Sequence, residues 1–166
     1  MGSRPLVVAK QEAVKPARAQ GSVIGAMLFS SKREKTIKCI LIVEDEPLVA
    51  FDNEHFLRDA GYDVTATVDT VKDALAHIGR NGIDLVLADV RLSDGGDGQE
   101  VAVAASKHGV PVLFVTGTPP DGAADFALGV LSKPYNQRDL LATIEAIEAQ
   151  RNGRKPKRLP KGLTLF

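Results

Sequence analysis

Short apolar runs recur through the middle of the chain and alternate with stretches of helical periodicity. The run at 38–43 is continuous and mainly apolar, which is the pattern of a strand buried on both faces. Further runs of this kind predict four more strands, at residues 63–68, 83–88, 110–115 and 128–131.

The segments between these runs predict helices. Pro47 suits a first helical turn, and Gly61 ends the helix predicted for Leu48 to Ala60. Thr70 is a candidate N-cap for the second helix, whose apolar positions fall on one face. The second helix is predicted to begin at Val71 and to end at Asn81-Gly82, and a later helix is predicted at 99–108. Apolar positions from Leu140 to Ile147 mark the last helix, and a short or poorly formed fourth helix is predicted near 123–127.

Strands that alternate with helices define the fold class. Parallel neighbours need crossover connections, and helices supply them, so the pattern predicts an α/β domain. We therefore expect a doubly wound, five-stranded parallel sheet with helices on both faces.

The net charge of zero hides a segregation of charge along the chain. Residues 1–38 hold eight Lys/Arg and two acids, and residues 151–166 hold six Lys/Arg and no acid. The remainder, 39–150, has seven basic and nineteen acidic residues. We interpret residues 1–36 as a flexible basic arm, 37–150 as the folded domain, and 151–166 as a second mobile basic tail.

Two classes of protein are disfavoured by the sequence. A membrane span requires about 20 apolar residues, and the longest apolar stretches of this chain are much shorter. A single cysteine, Cys39, excludes an internal disulfide framework and a cysteine-based zinc site. We expect a cytoplasmic protein with no membrane partner.

Polar and charged residues follow four of the predicted strands. Glu44, Asp45 and Glu46 come after the first strand, Asp89 after the third, Thr116 after the fourth and Lys133 after the fifth. Singly, each has an ordinary explanation as a cap, a turn residue or a solvated charge. Because the carboxyl ends of parallel strands meet at one edge, we expect these side chains in one crevice.

This combination of side chains has a coherent chemical use. Clustered carboxylates favour a hard divalent cation such as Mg²⁺. A lysine ammonium and a threonine hydroxyl opposite the cation would hold phosphoryl oxygens. The central carboxylate, Asp89, is the candidate nucleophile that accepts the phosphoryl group.

Four motifs in this order resemble the receiver domain of bacterial response regulators: ILIVEDEP, LVLADVRL, VLFVTGT and LSKPY. The resemblance implies a flavodoxin-like sheet of order 2-1-3-4-5 and a cis peptide bond before Pro134. It also implies roles for individual residues. Mg²⁺ would be held by Glu44, Asp45, Asp89 and the backbone carbonyl of Arg91; Asp89 would be phosphorylated, and Thr116 and Lys133 would bind the phosphoryl group.

Two departures from the family pattern refine the resemblance. Val130 stands where most receivers carry an aromatic switch residue. In those receivers the threonine shifts and the aromatic ring turns inward, and Val130 offers no ring for this movement. The segment Phe114–Gly117 resembles the Phe-Ala-Thr-Gly signature of the alphaproteobacterial FAT GUY receivers, with Val115 in place of alanine. Members of that subgroup are typically stand-alone receivers, some in general stress response relays.

The resemblance implies a single-domain response regulator that takes phosphate from a sensor histidine kinase or a histidine phosphotransfer protein. Its output would be contacts with a downstream protein or onward phosphotransfer, and it would act on no separate substrate as an enzyme. Two alternatives remain: a nucleic-acid-binding regulator that uses the basic tails, and an adaptor that is never phosphorylated. A dehalogenase-like phosphatase is disfavoured, because Arg91 stands where that class needs a second acid.

Overall fold

Strand and helix alternate along the chain in the computed structural model, which describes residues 35–80, 82–93 and 95–166. These residues belong to one unit, Lys35–Phe166, and most of the predicted basic arm lies outside them. The strands are β1 Cys39–Val43, β2 Asp63–Val68, β3 Leu85–Ala88, β4 Val112–Thr116, β5 Gly129–Ser132 and β6 Leu163–Leu165. The helices are α1 Pro47–Asp59, α2 Val71–Ile78, α3 Gly98–Lys107 and α4 Gln137–Arg151.

Side-chain caps fix where three of the helices begin. The Thr70 hydroxyl accepts the N–H of Asp73 at 3.2 Å, and a carboxylate oxygen of Asp97 accepts the N–H of Gln99 at 2.8 Å. Asn136 caps α4 in the same way, whereas α1 begins with Pro47, which has no N–H to satisfy. The cap at Thr70 is confirmed, whereas the sequence analysis did not identify the cap at Asn136, and α4 begins at Gln137, ahead of the apolar positions from Leu140 that marked it.

The sheet has the order β2-β1-β3-β4-β5-β6, and all pairs among β1 to β5 are parallel. The predicted α/β fold and the order 2-1-3-4-5 are thus confirmed. Between β4 and β5 the chain forms only the 3₁₀ turn Ala123–Asp125. The prediction of a short or poorly formed helix near 123–127 is also confirmed.

The sixth strand corrects one prediction. We expected residues 151–166 to be mobile, but Leu163–Leu165 pairs antiparallel with β5 and belongs to the same unit. The pairing depends on Gly129, because a Cβ at that position would overlap the carbonyl oxygen of Thr164. The prediction failed because three alternating residues among lysines, prolines and glycines carry too weak a local signal, and the free edge of β5 decides their conformation.

Buried apolar side chains form one layer on each face of the sheet. On one face, the buried Phe114 meets Phe126 edge to face, with ring centroids 6.3 Å apart. On the other face, α4 contributes Leu140, Ile144 and Ile147, all buried. Among the described residues, none of the helices combines the length and the apolar character that crossing a bilayer requires.

Tyr62 is a buried residue with an unsatisfied hydroxyl. Its ring lies beneath the Lys35 ammonium, 3.9 Å from the centroid, and Lys35 also donates to the Ala60 carbonyl at 3.0 Å. Within the described part of the chain, the Tyr62 hydroxyl is the one buried side-chain polar atom without a hydrogen-bond partner. Burial raises the pKa of Tyr62 to about 12, and the charges of Glu148 and Glu145 add to this effect.

Replacing Tyr62 by phenylalanine is expected to stabilise the fold at neutral pH by about 1 kcal/mol, since an unsatisfied polar atom is removed. Above pH 10 the free energy of unfolding of the wild-type chain should also fall more steeply with pH than that of Tyr62→Phe. In that range the unfolded tyrosine ionises while the folded one holds its proton until about pH 12, a loss of up to about 1.4 kcal/mol per pH unit. Urea titrations at pH 8, 10 and 11 measure both effects.

Tyr135 provides the control for this prediction. Its hydroxyl accepts from the Asn53 amide at 2.8 Å, so Tyr135→Phe should destabilise the fold at neutral pH. Equal losses in the two variants, or identical alkaline slopes for wild type and Tyr62→Phe, would contradict the interpretation of Tyr62.

Candidate functional site

The predicted polar residues stand at the carboxyl ends of four adjacent strands. Glu44 directly follows β1, Asp89 follows β3, Thr116 is the last residue of β4, and Lys133 follows β5. Because these strands are parallel neighbours, their ends form one crevice at a single edge of the sheet.

Lys133 is the centre of this crevice. Its Nζ lies 2.8 Å from Glu44 Oε2, 2.8 Å from Asp89 Oδ2 and 3.2 Å from Glu46 Oε1. The Glu44 side chain is 3 % exposed and that of Asp89 is 12 % exposed, whereas Glu46 is largely open to solvent. The site is therefore a lysine held among three carboxylates, two of them shielded from water.

The surroundings shift the pKa values of two of these groups. Burial raises the pKa of Glu44, and the hydrogen bond and charge of Lys133 offset part of that rise. Burial lowers the pKa of Lys133, but hydrogen bonds to Asp89 and Glu44 and their charges outweigh it, so its pKa lies well above the ordinary value. Lys133 is a fixed positive charge beside Asp89.

The second oxygen of Asp89 faces the backbone. Asp89 Oδ1 accepts the N–H of Val90 at 2.6 Å and the N–H of Arg91 at 3.4 Å. The Arg91 side chain is exposed, and its backbone bridges to Asp97. The two oxygens of Asp89 therefore have separate environments, one beside the Lys133 ammonium and one against backbone amides.

The acid pair predicted after β1 is divided. Glu44 joins the cluster, but the Asp45 carboxylate accepts the Ser93 hydroxyl instead. Glu46 takes the third place, and its carboxylate oxygen lies within 4.8 Å of oxygens of Glu44 and Asp89. Sequence reasoning noted Glu46 only as a neighbour of the acid pair, since spacing alone does not tell which of two adjacent loop residues turns inward.

Thr116 lies at the expected strand end but does not contact the carboxylates. It is buried, and its hydroxyl accepts the N–H of Thr118 at 3.3 Å. Its backbone carbonyl accepts the N–H of Lys133 at 2.9 Å. In the described chain Thr116 is thus linked to Lys133 through the backbone and not through its side chain.

The chemistry of this donor set fits a divalent cation. Glu44, Glu46 and Asp89 offer carboxylate oxygens that converge within 4.8 Å of one another. Hard oxygen ligands of this kind, few in number and partly open to water, suit Mg²⁺. The Lys133 ammonium lies among the same oxygens and balances part of their charge.

A cavity of about 440 Å³ adjoins the site between α1 and the segment after β5. Lys133 and Pro134, joined by the cis peptide bond that the resemblance implied, line one wall. Glu46 lines it too, and the buried Asn53 donates to Tyr135 within its wall. Two apolar side chains on α1 are exposed, Leu48 at 80 % and Phe51 at 66 %.

Gly98, the first residue of α3, lies so close to the Asp89 backbone that a Cβ would overlap the Asp89 carbonyl oxygen. Its N–H donates to the Val90 carbonyl at 2.7 Å. Sequence analysis did not single out this glycine, because the requirement arises from a contact between separate elements. The absence of a side chain at Gly98 is what allows α3 to begin beside the site.

Gly98→Ala is expected to lower the free energy of unfolding by about 1–3 kcal/mol, because backbone must shift to admit the methyl group. Gly79→Ala is the matched control, since the nearest atom to its Cβ would be the Leu75 carbonyl oxygen at an ordinary 3.7 Å. Urea unfolding of both variants decides the matter: a Gly98→Ala chain as stable as the control would contradict the close approach.

Comparisons with known proteins agree with this geometry. Residues 40–145 match the family described as response regulator receiver domain. The chain is 35 % identical over 116 residues to the sensory transduction protein RegX3 of Mycolicibacterium smegmatis, covering 65 % of this chain and 49 % of RegX3. It is 32 % identical over 124 residues to the phyllosphere-induced regulator PhyR of Methylorubrum extorquens, covering 70 % and 46 % of the two chains. The chain thus spans about half the length of these curated relatives.

A solved structure supports the same assignment. The receiver domain of the sensor histidine kinase PA1611 from Pseudomonas aeruginosa is 27 % identical, with a TM-score of 0.56, and the match covers 65 % of this chain and 94 % of that one. That structure is described with a magnesium ion coordinated in its active-site cleft. The similarity to PhyR, a FAT GUY-type regulator, agrees with the resemblance of Phe114–Gly117 to that subgroup. By its matched motifs, fold and relatives, the chain belongs to the response regulator receiver domain family.

Proposed function

We propose that Asp89 accepts a phosphoryl group from the phosphohistidine of a sensor histidine kinase or a histidine phosphotransfer protein, in a reaction that requires Mg²⁺. The observation that carries this proposal is the contact of Asp89 with the Lys133 ammonium at 2.8 Å inside a half-enclosed carboxylate cluster. The signal would pass on through contacts with a downstream protein or by onward phosphotransfer. We place this exchange in the cytoplasm, in a relay of the kind that the FAT GUY subgroup serves in the general stress response.

The transfer needs a nucleophile and compensation for charge. An oxygen of Asp89 attacks the phosphorus, a P–O bond forms, and the P–N bond breaks as the imidazole leaves with the electron pair. Lys133 stays protonated throughout, because the carboxylates beside it hold its pKa high. It therefore supplies a positive charge to the incoming phosphoryl oxygens.

Two further contributions come from the strand ends. Thr116 would turn its hydroxyl from Thr118 to a phosphoryl oxygen, since the present contact at 3.3 Å is long and readily exchanged. Glu44, Asp45, Asp89 and the backbone carbonyl of Arg91 would hold Mg²⁺, with Asp45 released from Ser93 and Glu46 as the alternative ligand. Mg²⁺, when bound, would neutralise charge between the carboxylates and the phosphoryl group.

The face next to the site suits a helical donor protein. The exposed Leu48 and Phe51 lie on α1, beside the cavity that leads to Lys133. Isolated exposed apolar residues are common, but two large ones at i and i+3 share one face of a helix. We assign this face to the phosphohistidine donor.

The test is intact mass after incubation with acetyl phosphate and Mg²⁺, and in parallel with a phosphorylated histidine kinase. We expect a gain of one phosphoryl group, about 80 Da, that is lost when EDTA replaces Mg²⁺. Peptide mapping should locate it on the peptide that contains Asp89. No gain from either donor would reject phosphoryl transfer and leave an adaptor that works by contacts alone.

A further inference from the structure

Residues 152–166 lead from α4 back across the domain to β5. Arg158 meets Asp139 near the start of α4, with Nη2 3.2 Å from Oδ1, and Pro160 is buried. The chain then turns at Gly162 and runs antiparallel to β5 as β6. We call residues 152–166 the return segment. It contacts the rest of the domain at two places, the ion pair between Arg158 and Asp139 and the pairing of β6 with β5.

β6 and β5 are joined by backbone hydrogen bonds and by close packing. The N–H of Ser132 donates to the Gly162 carbonyl at 3.0 Å, and the N–H of Phe166 donates to the Leu128 carbonyl at 3.0 Å. Gly129 has no Cβ, and that absence makes room for the Thr164 carbonyl. Leu163 and Leu165 pack against the apolar layer that contains α4.

The same contact is short and poorly buried. β6 has three residues, of which Leu163 and Leu165 are half-buried and Thr164 is exposed. Most of the chain between α4 and β6 is exposed as well. Short edge strands with few buried contacts belong to the least stable parts of a fold, which open without global unfolding.

β5 connects this weak contact to the site. On one side its last residue, Ser132, pairs in register with Thr116, and on the other side it bonds to Gly162. The next residue, Lys133, binds Asp89 and Glu44 through its side chain and Thr116 through its backbone. A displacement of the Lys133 backbone therefore acts directly on the adjacent hydrogen bond between Ser132 and Gly162.

We propose that the return segment reports the state of the site: a phosphoryl group on Asp89 displaces β6 from β5. This inference rests on the proposed function. The added group brings roughly two negative charges and needs space next to the Asp89 carboxylate, where the Lys133 ammonium now lies 2.8 Å from Oδ2. Lys133 and Thr116 therefore move to the phosphoryl oxygens. β6 is the two-state element that this shift biases.

Hydrogen exchange measured by mass spectrometry on the full chain tests the proposal, with intact mass recorded on the same samples. After phosphorylation by acetyl phosphate and Mg²⁺, peptides covering 159–166 should exchange about tenfold faster. Peptides covering β2, at the opposite edge of the sheet, should not change. Asp89→Asn treated in the same way should behave like the untreated wild type.

Gly129→Ala supplies an arm that needs no phosphate, because its methyl group excludes Thr164 from β5. It should reproduce the fast exchange at 159–166, whereas Gly79→Ala should not. If the mass gain appears and exchange at 159–166 stays within twofold of the unphosphorylated chain, the inference is overturned while the proposed function stands. If neither acetyl phosphate nor a phosphorylated histidine kinase adds mass, both are overturned together.

Discussion

Asp89→Asn should abolish phosphoryl uptake while leaving the fold intact. Asparagine has almost the same volume, and its single amide oxygen can keep the hydrogen bond from Lys133 or the one from the N–H of Val90, but not both. It lacks the negative charge and the nucleophilic oxygen that the transfer requires. Intact mass should therefore show no gain of about 80 Da from either donor, and circular dichroism should match the wild type.

Asp52→Asn is the matched control for this loss. Asp52 is an exposed acid on α1 that lines the cavity beside the site, outside the carboxylate cluster. The control should take up phosphate at a rate close to the wild type. Uptake by Asp89→Asn at even a tenth of the wild-type rate would place the acceptor on another residue.

Lys133→Met is expected to lower the free energy of unfolding by about 2–4 kcal/mol in the absence of Mg²⁺. The substitution keeps most of the length of the side chain but removes the positive charge that three carboxylates share. Glu44 is left buried with a like charge beside it, which is costly because neither carboxylate is well solvated. Urea unfolding measures the loss, and millimolar Mg²⁺ should restore more stability to this variant than to the wild type.

Arg58→Met is the comparison, because it removes an exposed ion pair with Glu54 and one hydrogen bond to the Val64 carbonyl at 2.8 Å, outside the carboxylate cluster. Arg58 Nε lies 3.1 Å from Glu54 Oε1, and both side chains are substantially exposed. Such a pair contributes at most about 1 kcal/mol. Were the two variants equally stable, Lys133 would be a solvated surface charge and the carboxylate cluster would not depend on it.

Elements with strong local signals were predictable from sequence. β2 has the predicted bounds and α2 the predicted start, since Asp63–Val68 is a clear β-run and Thr70 caps the helix, whereas α2 ends at Ile78, before the predicted stop at Asn81-Gly82. The start of β3 was misjudged by two residues. The pairing with β1 sets the start of β3, because the first paired residues are Leu85 and Ile40. Just before this pair, the Asp84 carboxylate accepts the N–H of Cys39.

The site was predictable to the level of strand ends, not of contacts. The topology dictated that Asp89, Thr116 and Lys133 would share one edge. Which loop acid turns toward Lys133 depends on backbone conformation after β1 and on Ser93, which binds Asp45. No sequence pattern encodes that choice, and the role of Gly98 as the point of closest approach was hidden for the same reason.

The antiparallel strand β6 also has a consequence for the behaviour of the protein at high concentration. An open strand edge is a template on which other chains add and aggregate. Without β6, the apolar strand β5 would end the sheet as such an edge. The edge strand is instead β6, which has three residues and follows Lys161 and Gly162. A strand this short, with a charged residue close to it, is a poor template for pairing with another chain. The return segment therefore contributes to colloidal solubility, and chains cut after α4 should associate at concentrations at which the whole chain stays monodisperse.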